Sequence, residues 1–127
     1  MSYYMATTAK GGFEETILQV TAALKTEGFG VLTQINIQAT MKEKLGVEMA
    51  PYRILGVCNP HFAHRALTAE EHIGAMLPCN VVVLQKDEGV EVAAIDPVAS
   101  MHAVQNPQLT AIAVEVREKL ARVIASL

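Results

Sequence analysis

The chain has 127 residues, 51% of them hydrophobic, which is enough for one self-supporting core, so we expect a single domain over residues 1–127. Its formal charge of -3 and the lack of any run of Lys or Arg argue against a nucleic-acid partner, because a phosphate backbone needs a clustered basic surface. No segment approaches the ~20 apolar residues that span a bilayer, and residues 1–12 do not resemble a leader, so we expect a cytoplasmic protein with no membrane partner.

The first third of the chain predicts a strand, a helix and a second strand. Residues 3–7 are short and β-prone, as in an edge strand. After Gly12, apolar residues recur at helical spacing until Gly28 ends the helix; they are Phe13, Ile17, Val20 and Leu24. Residues 29–37 then alternate in the manner of a strand with one strongly apolar face.

The middle of the chain predicts a short helix and two buried strands. Thr40 and Glu43 have capping-box spacing, which predicts a helix over residues 41–45 that closes at Gly46. Residues 52–57 and 81–84 are apolar at both odd and even positions, which is typical of strands whose two faces are both covered. Either short helices or a second subunit would cover the second face of the sheet.

The last third predicts a hairpin and a long helix. Asp87, Glu88 and Gly89 form the turn between strands over 81–86 and 90–95, and residues 98–105 are irregular or form a helical turn. Asn106 and Pro107 are favourable as cap and first residue of a helix. Its apolar stripe comprises Leu109, Ile112, Ala113, Val116, Leu120, Val123, Ile124 and Leu127. The element order indicates an α+β domain with a largely antiparallel sheet and two long helices on one face.

Two near-mirror tripeptides mark the candidate site: Cys58-Asn59-Pro60 and Pro78-Cys79-Asn80. Asn59 and Pro60 favour a helix that begins where the strand over 52–58 ends. If the strands on either side of this helix pair antiparallel, the end of the first lies beside the start of the second. The two thiols should then be neighbours, and a helical wheel places His61, His64 and Arg65 on the outward face of the connecting helix.

Three chemistries fit this arrangement. Cys58, Cys79, His61 and His64 could hold zinc or copper(I), since thiolate and imidazole suit both metals. The two cysteines could form and break a disulfide, with Cys58 activated by the helix start. Backbone N–H groups of that start, with His61, His64 and Arg65, could bind an anion or small polar ligand. The structural alternative is that the cysteines only pack, the asparagines cap turns and the histidines are solvated.

Several motifs resemble the family known as "domain of unknown function" number 302. They are G-F-G-V-L-T at 28–33, P-Y-R-I-L-G-V-C-N-P at 51–60, A-H-R-A-L at 63–67, L-P-C-N-V-V-V at 77–83 and N-P-Q-L at 106–109. The resemblance implies a fold similar to one half of the TATA-binding protein, β-α-β4-α with extra short helices, and a tendency to form dimers. It implies no activity and no catalytic residues, and the shared fold gives no reason to expect DNA binding.

The sequence thus predicts a homodimeric domain that binds a small ligand, anion or metal ion at a cleft between Cys58 and Cys79. The predicted ligand-binding residues are Cys58, Asn59, His61, His64, Arg65, Cys79 and Asn80. The alternatives are a thiol-redox enzyme or sensor that uses the two cysteines, and a structural dimeric interaction module without a ligand. The sequence identifies neither a cofactor nor a reaction.

Overall fold

The computed structural model of the chain describes residues 2–127. Its strands are β1 (Tyr4–Ala9), β2 (Gly30–Asn36), β3 (Tyr52–Cys58), β4 (Cys79–Lys86) and β5 (Gly89–Ile95). Its helices are α1 (Phe13–Thr26), α2 (Ile37–Leu45), α3 (Pro60–Ala69), α4 (Pro97–Ser100) and α5 (Pro107–Ala125), and a 3-10 helix, Glu71–Met76, follows α3. The strands form one sheet in the order β1-β5-β4-β3-β2, and all four neighbouring pairs are antiparallel. The predicted α+β class is confirmed.

The long helices α1 and α5 pack against one face of the sheet and enclose the core with it. Both helices place the predicted apolar stripe inward, and α5 begins at the predicted cap, where Asn106 Oδ1 accepts a hydrogen bond from the Gln108 N–H at 3.1 Å. No helix within residues 2–127 combines the length and the apolar character needed to cross a bilayer.

The beginning of α2 corrects the capping-box prediction. The helix starts four residues early, at Ile37, because Asn36 at the end of β2 caps it by accepting a hydrogen bond from the Ala39 N–H at 2.9 Å. Thr40 lies inside the helix and its hydroxyl donates to the Asn36 carbonyl. The predicted end is correct, since Gly46 adopts a left-handed conformation with φ 66°.

The apolar face predicted for residues 29–37 is only partly buried. Phe29 is buried and Val31 is half-buried, but the Ile35 side chain is 46% exposed. The physical reason is that β2 is an edge strand whose pairing with β3 shifts between Val31 and Thr33, so the alternation does not continue along it.

The two faces of the central strands have different surroundings. One face lies under the helices, whereas the other, here named the open sheet face, keeps half-buried and exposed apolar side chains in the described chain. By the strand register, these are Tyr4, Tyr52, Ile54, Val82, Leu84 and Ile95, and the buried Ala93 lies on the same face. The short helices therefore do not cover this second face of the sheet.

Candidate functional site

A cavity of about 330 Å³ lies beneath α3, at the end of the sheet where β3 stops and β4 begins. The wall from the sheet includes Val57, Cys58 and Cys79, and α3 adds Phe62, Ala63 and Ala66. The remaining wall comes from distant segments; it includes Phe29, Leu32, Leu77, Pro97, Met101, Ile112 and Val116. Small side chains at Ala63 and Ala66 leave room between the helix and the sheet.

The two cysteines meet at this cavity. Val57 is the cross-strand partner of Cys79, so Cys58, the next residue of β3, lies diagonally across from Cys79. Both cysteines line the cavity, both are half-buried and both are free thiols. Antiparallel pairing of β3 and β4 thus produces the neighbourhood that the sequence predicted.

The Cys79 thiol is held in its neutral form. Burial, and secondarily the charge of a Cys58 thiolate, raises the pKa of Cys79 to about 11. At neutral pH this thiol is a weak hydrogen-bond donor in an apolar wall and a slow nucleophile.

Asn59 borders the cavity but serves a different purpose from the predicted one. It occupies the N-cap position of α3, yet its side chain makes no capping bond there. Instead its Nδ2 donates to the Glu27 carbonyl at 3.2 Å, which joins the start of α3 to the end of α1. Gly28 makes this approach feasible, because a Cβ there would lie 3.0 Å from Asn59 Nδ2 and the backbone has φ 86°.

The side chains predicted for the outward face of α3 lie there and not in the cavity. His61, His64 and Arg65 are all exposed. Arg65 forms an ion pair with Glu115 at 3.2 Å. Its guanidinium lies over the Phe62 ring, 5.3 Å from the ring centroid. His64 and Arg65 line a separate shallow groove between α3 and the start of α5.

The structure does not bring the four predicted metal ligands together. Among residues 2–127, no three His, Cys, Asp or Glu side chains come together in a group that could hold a metal ion. Cys58 and Cys79 lie under α3, while His61 and His64 project from its opposite side. A helix separates the imidazoles from the thiols.

Asn80 lies apart from the cavity. It pairs with Gly56 and is exposed in a depression on the open sheet face. Successive strand residues alternate between faces, so Asn80 must point away from the cavity that Cys79 lines. Of the seven predicted ligand-binding residues, the structure brings Cys58, Asn59 and Cys79 together.

Most of the cavity wall was absent from the prediction because it consists of ordinary core residues. Met101 and Val116 lie far from the cysteines in sequence and carry no motif. The available signal was the pair Ala63 and Ala66, two small residues on the inward arc of an otherwise amphipathic helix.

Comparison with known proteins identifies the family of the chain. The model described as "Domain of unknown function DUF302" matches residues 5–127. The crystal structure of an uncharacterized conserved DUF302 protein from Bacillus stearothermophilus has a TM-score of 0.92 to this chain, with 32% sequence identity and 98% of each chain covered. No curated protein matches the chain significantly. The chain belongs to the domain of unknown function 302 family.

Proposed function

We propose that this domain binds a small, uncharged and largely apolar molecule in the cavity beneath α3. The observation that carries the proposal is the lining itself: within the described chain, every residue that lines the cavity is uncharged, and nearly all present carbon or sulfur. A concave apolar site with a few polar atoms is the usual form of a small-molecule site.

The charges near the cavity support an uncharged ligand over the anion considered from the sequence. Arg65 pairs with Glu115, and Lys119 lies 3.8 Å from a Glu27 carboxylate oxygen, so both cations already have acidic partners outside the cavity. An anion inside would lose its hydration without gaining a counter-charge, which is strongly unfavourable.

The polar atoms available to a ligand are few. They are the Cys58 and Cys79 thiols and the Asn59 amide, whose nitrogen already donates to the Glu27 carbonyl. A ligand with one hydroxyl or carbonyl could use one of them, whereas a ligand with several polar groups would leave most of these groups unpaired.

The volume sets the size of the ligand. A dry cavity of ~150 Å³ accommodates benzene, so about 330 Å³ suits a molecule of roughly thirteen heavy atoms at most by the same scaling. Transfer of eight methylene-sized groups contributes at most ~6.4 kcal/mol, or a dissociation constant near ~20 μM, before the entropic cost of binding. We expect values between ~20 μM and ~1 mM for a simple probe.

The test is an NMR titration of ¹⁵N-labelled protein with 1-octanol, with naphthalene, and with inorganic phosphate. Binding in the cavity predicts saturable amide shifts at α3 and at the β3 and β4 ends with both apolar probes, and none there with phosphate. The proposal is wrong if phosphate alone perturbs these amides, or if the apolar probes shift only residues of the open sheet face.

A second proposal concerns association with another copy of this chain through the open sheet face. Among residues 2–127, the charged residues that the register places on this face are Lys86 and Glu91, and they pair with each other at 2.9 Å. The surface is therefore neutral, apolar and suited to an identical copy related by a two-fold axis. Five strands of about seven residues cover roughly 500 Å², less than the ~800 Å² per partner of a standard interface, which favours a weak, concentration-dependent dimer.

A further inference from the structure

The cavity beneath α3 reaches solvent through a small group of uncharged residues. Of the residues that line it, Leu32, Leu67, Gly74 and Pro78 are exposed, and the two leucines are 65% and 44% exposed. They belong to β2, to the last turn of α3, to the 3-10 helix and to the position before β4. These four residues are here named the portal.

Two close approaches show that the portal residues lie together. A Cβ placed on Gly74 would lie 3.9 Å from the Leu67 side chain, so the 3-10 helix and the end of α3 are neighbours there. A Cβ placed on Gly56 would lie 2.8 Å from Pro78 Cγ and would also meet the Thr33 side chain, so Pro78 and β2 converge over this glycine. The portal is therefore one opening between β2, α3 and the 3-10 helix.

The inner wall of the cavity differs from the portal in its access to water. Ile112, Ala113 and Val116 of α5 and Ala66 of α3 are at most 8% exposed, and their side chains contain only carbon. A polar group placed against them would lose its hydration without gaining a partner, whereas a polar group at the portal stays in contact with water. The cavity therefore favours one orientation of a molecule that has an apolar end and a polar end.

We propose that the ligand is a single-chain amphiphile, whose apolar chain fills the cavity and whose polar end lies in solvent at the portal. This inference rests on the proposed binding function and names the chemical class of its ligand. At the ~25 Å³ per heavy atom implied by benzene in ~150 Å³, a chain of eight carbons needs about 200 Å³. The cavity of about 330 Å³ provides this space, and its volume does not limit a polar end that stays outside.

Gly74 determines whether such a molecule can extend through the portal. Its backbone does not adopt a positive φ, and an added Cβ would meet Leu67 only at ordinary contact distance, so a larger side chain fits there without strain. Gly74→Leu would therefore place an apolar side chain against Leu67 and narrow the portal. A ligand held entirely inside the cavity would still fit, whereas a ligand with its polar end outside would not.

The test is an NMR titration of the ¹⁵N-labelled full chain with n-octyl-β-glucoside below its micelle concentration. This probe has about twenty heavy atoms, more than the roughly thirteen that the cavity can enclose. Saturable amide shifts at α3 and at the β3 and β4 ends would therefore mean that part of the bound molecule lies outside. Methyl-β-glucoside has the same polar end without the chain and should cause no shifts there.

Intermolecular nuclear Overhauser effects report the orientation of the bound probe. The end of the octyl chain should show them to the methyl groups of Ile112 and Val116. The sugar protons should show them to the methyl groups of Leu32 and Leu67. This measurement uses the wild-type protein, so it decides the orientation even if a portal variant does not fold.

The portal variant separates the amphiphile from a fully enclosed ligand. Gly74→Leu should weaken binding of octyl glucoside at least ~tenfold, because a clash of the size found in overpacked cores corresponds to that factor. The affinity for naphthalene, which fits inside the cavity, should change less than about threefold. Gly12→Leu is the matched control: Gly12 is exposed with open space around it and precedes α1, whose Glu14 pairs with Arg53 at the far end of β3.

The outcomes distinguish this inference from the binding function on which it rests. If naphthalene binds in the cavity and octyl glucoside does not, the amphiphile is overturned and the binding function stands. Sugar protons close to α5, or equal losses of both ligands in Gly74→Leu, also overturn the proposed orientation. If neither probe binds in the cavity, the binding function fails and the ligand class fails with it.

Discussion

Filling the cavity from α3 should stabilise the protein and abolish binding. Ala66 is 3% exposed and lines the cavity, so Ala66→Leu would place three more carbons inside it. At ~0.8 kcal/mol per buried carbon the gain is at most ~2.4 kcal/mol, and the ordering of the leucine side chain removes ~0.5–1 kcal/mol of it. We expect the free energy of unfolding to rise by about 1.5 kcal/mol and the affinity for 1-octanol to fall at least tenfold.

Urea unfolding followed by circular dichroism measures the first effect, because the chain contains no Trp for fluorescence, and the NMR titration measures the second. Ala22→Leu is the matched control, since Ala22 is an exposed residue of α1 and leucine is nearly as good a helix former as alanine. If Ala66→Leu instead destabilises by the ~1–3 kcal/mol of an overpacked core, the space beneath α3 is already filled and the reasoning fails.

Three further predictions concern single side chains. Asn59→Asp keeps a capping oxygen but loses the donor to the Glu27 carbonyl, so urea unfolding should show a loss of ~1–2 kcal/mol; full stability would instead make Asn59 a cap. The pKa of Cys79 is 9.0 in the unfolded chain and about 11 in the folded protein. The neutral thiol therefore contributes fully to the free energy of unfolding below pH 9, and this contribution is lost as the pH rises to 11. The difference in unfolding free energy between wild type and Cys79→Ala should accordingly shrink by ~2 kcal/mol over that window, and a constant difference would contradict the raised pKa. Leu84→Lys on the open sheet face should weaken self-association at least tenfold by sedimentation analysis, whereas Leu18→Lys, at a side chain 72% exposed on α1, should leave it unchanged; equal effects would point to another interface.

The sequence was sufficient for the long helices α1 and α5 because their apolar patterns are long. The eight-residue apolar stripe over residues 109–127, together with Asn106 and Pro107, is compatible only with one long helix, and seven of its residues are buried in α5. The start of α2 was missed because Asn36 acts both as the last residue of β2 and as the cap of the next helix. The alternating pattern of the strand extends through Asn36, so the pattern predicts a strand residue there and hides its second role as a helix cap.

The site was predictable where it depends on strand pairing and not where it depends on tertiary packing. Antiparallel pairing of β3 and β4 is enough to bring Cys58 to Cys79. The same helical wheel that placed His61 and His64 outward already excluded them from the inward side, where the cavity lies. The remaining wall, which includes Met101 and Val116, depends on how α5 packs beside α3, and no local pattern encodes that contact.

The proposed cavity and the proposed self-association surface share one strand without sharing side chains. Cys79 faces the cavity, whereas Asn80, Val82 and Leu84 face the other way, because adjacent strand residues alternate between the faces of the sheet. Effects at Ala66 and Leu84 on unfolding free energy should therefore add to within ~0.5 kcal/mol in the double variant. A larger departure from additivity would mean that β4 transmits strain between its two faces.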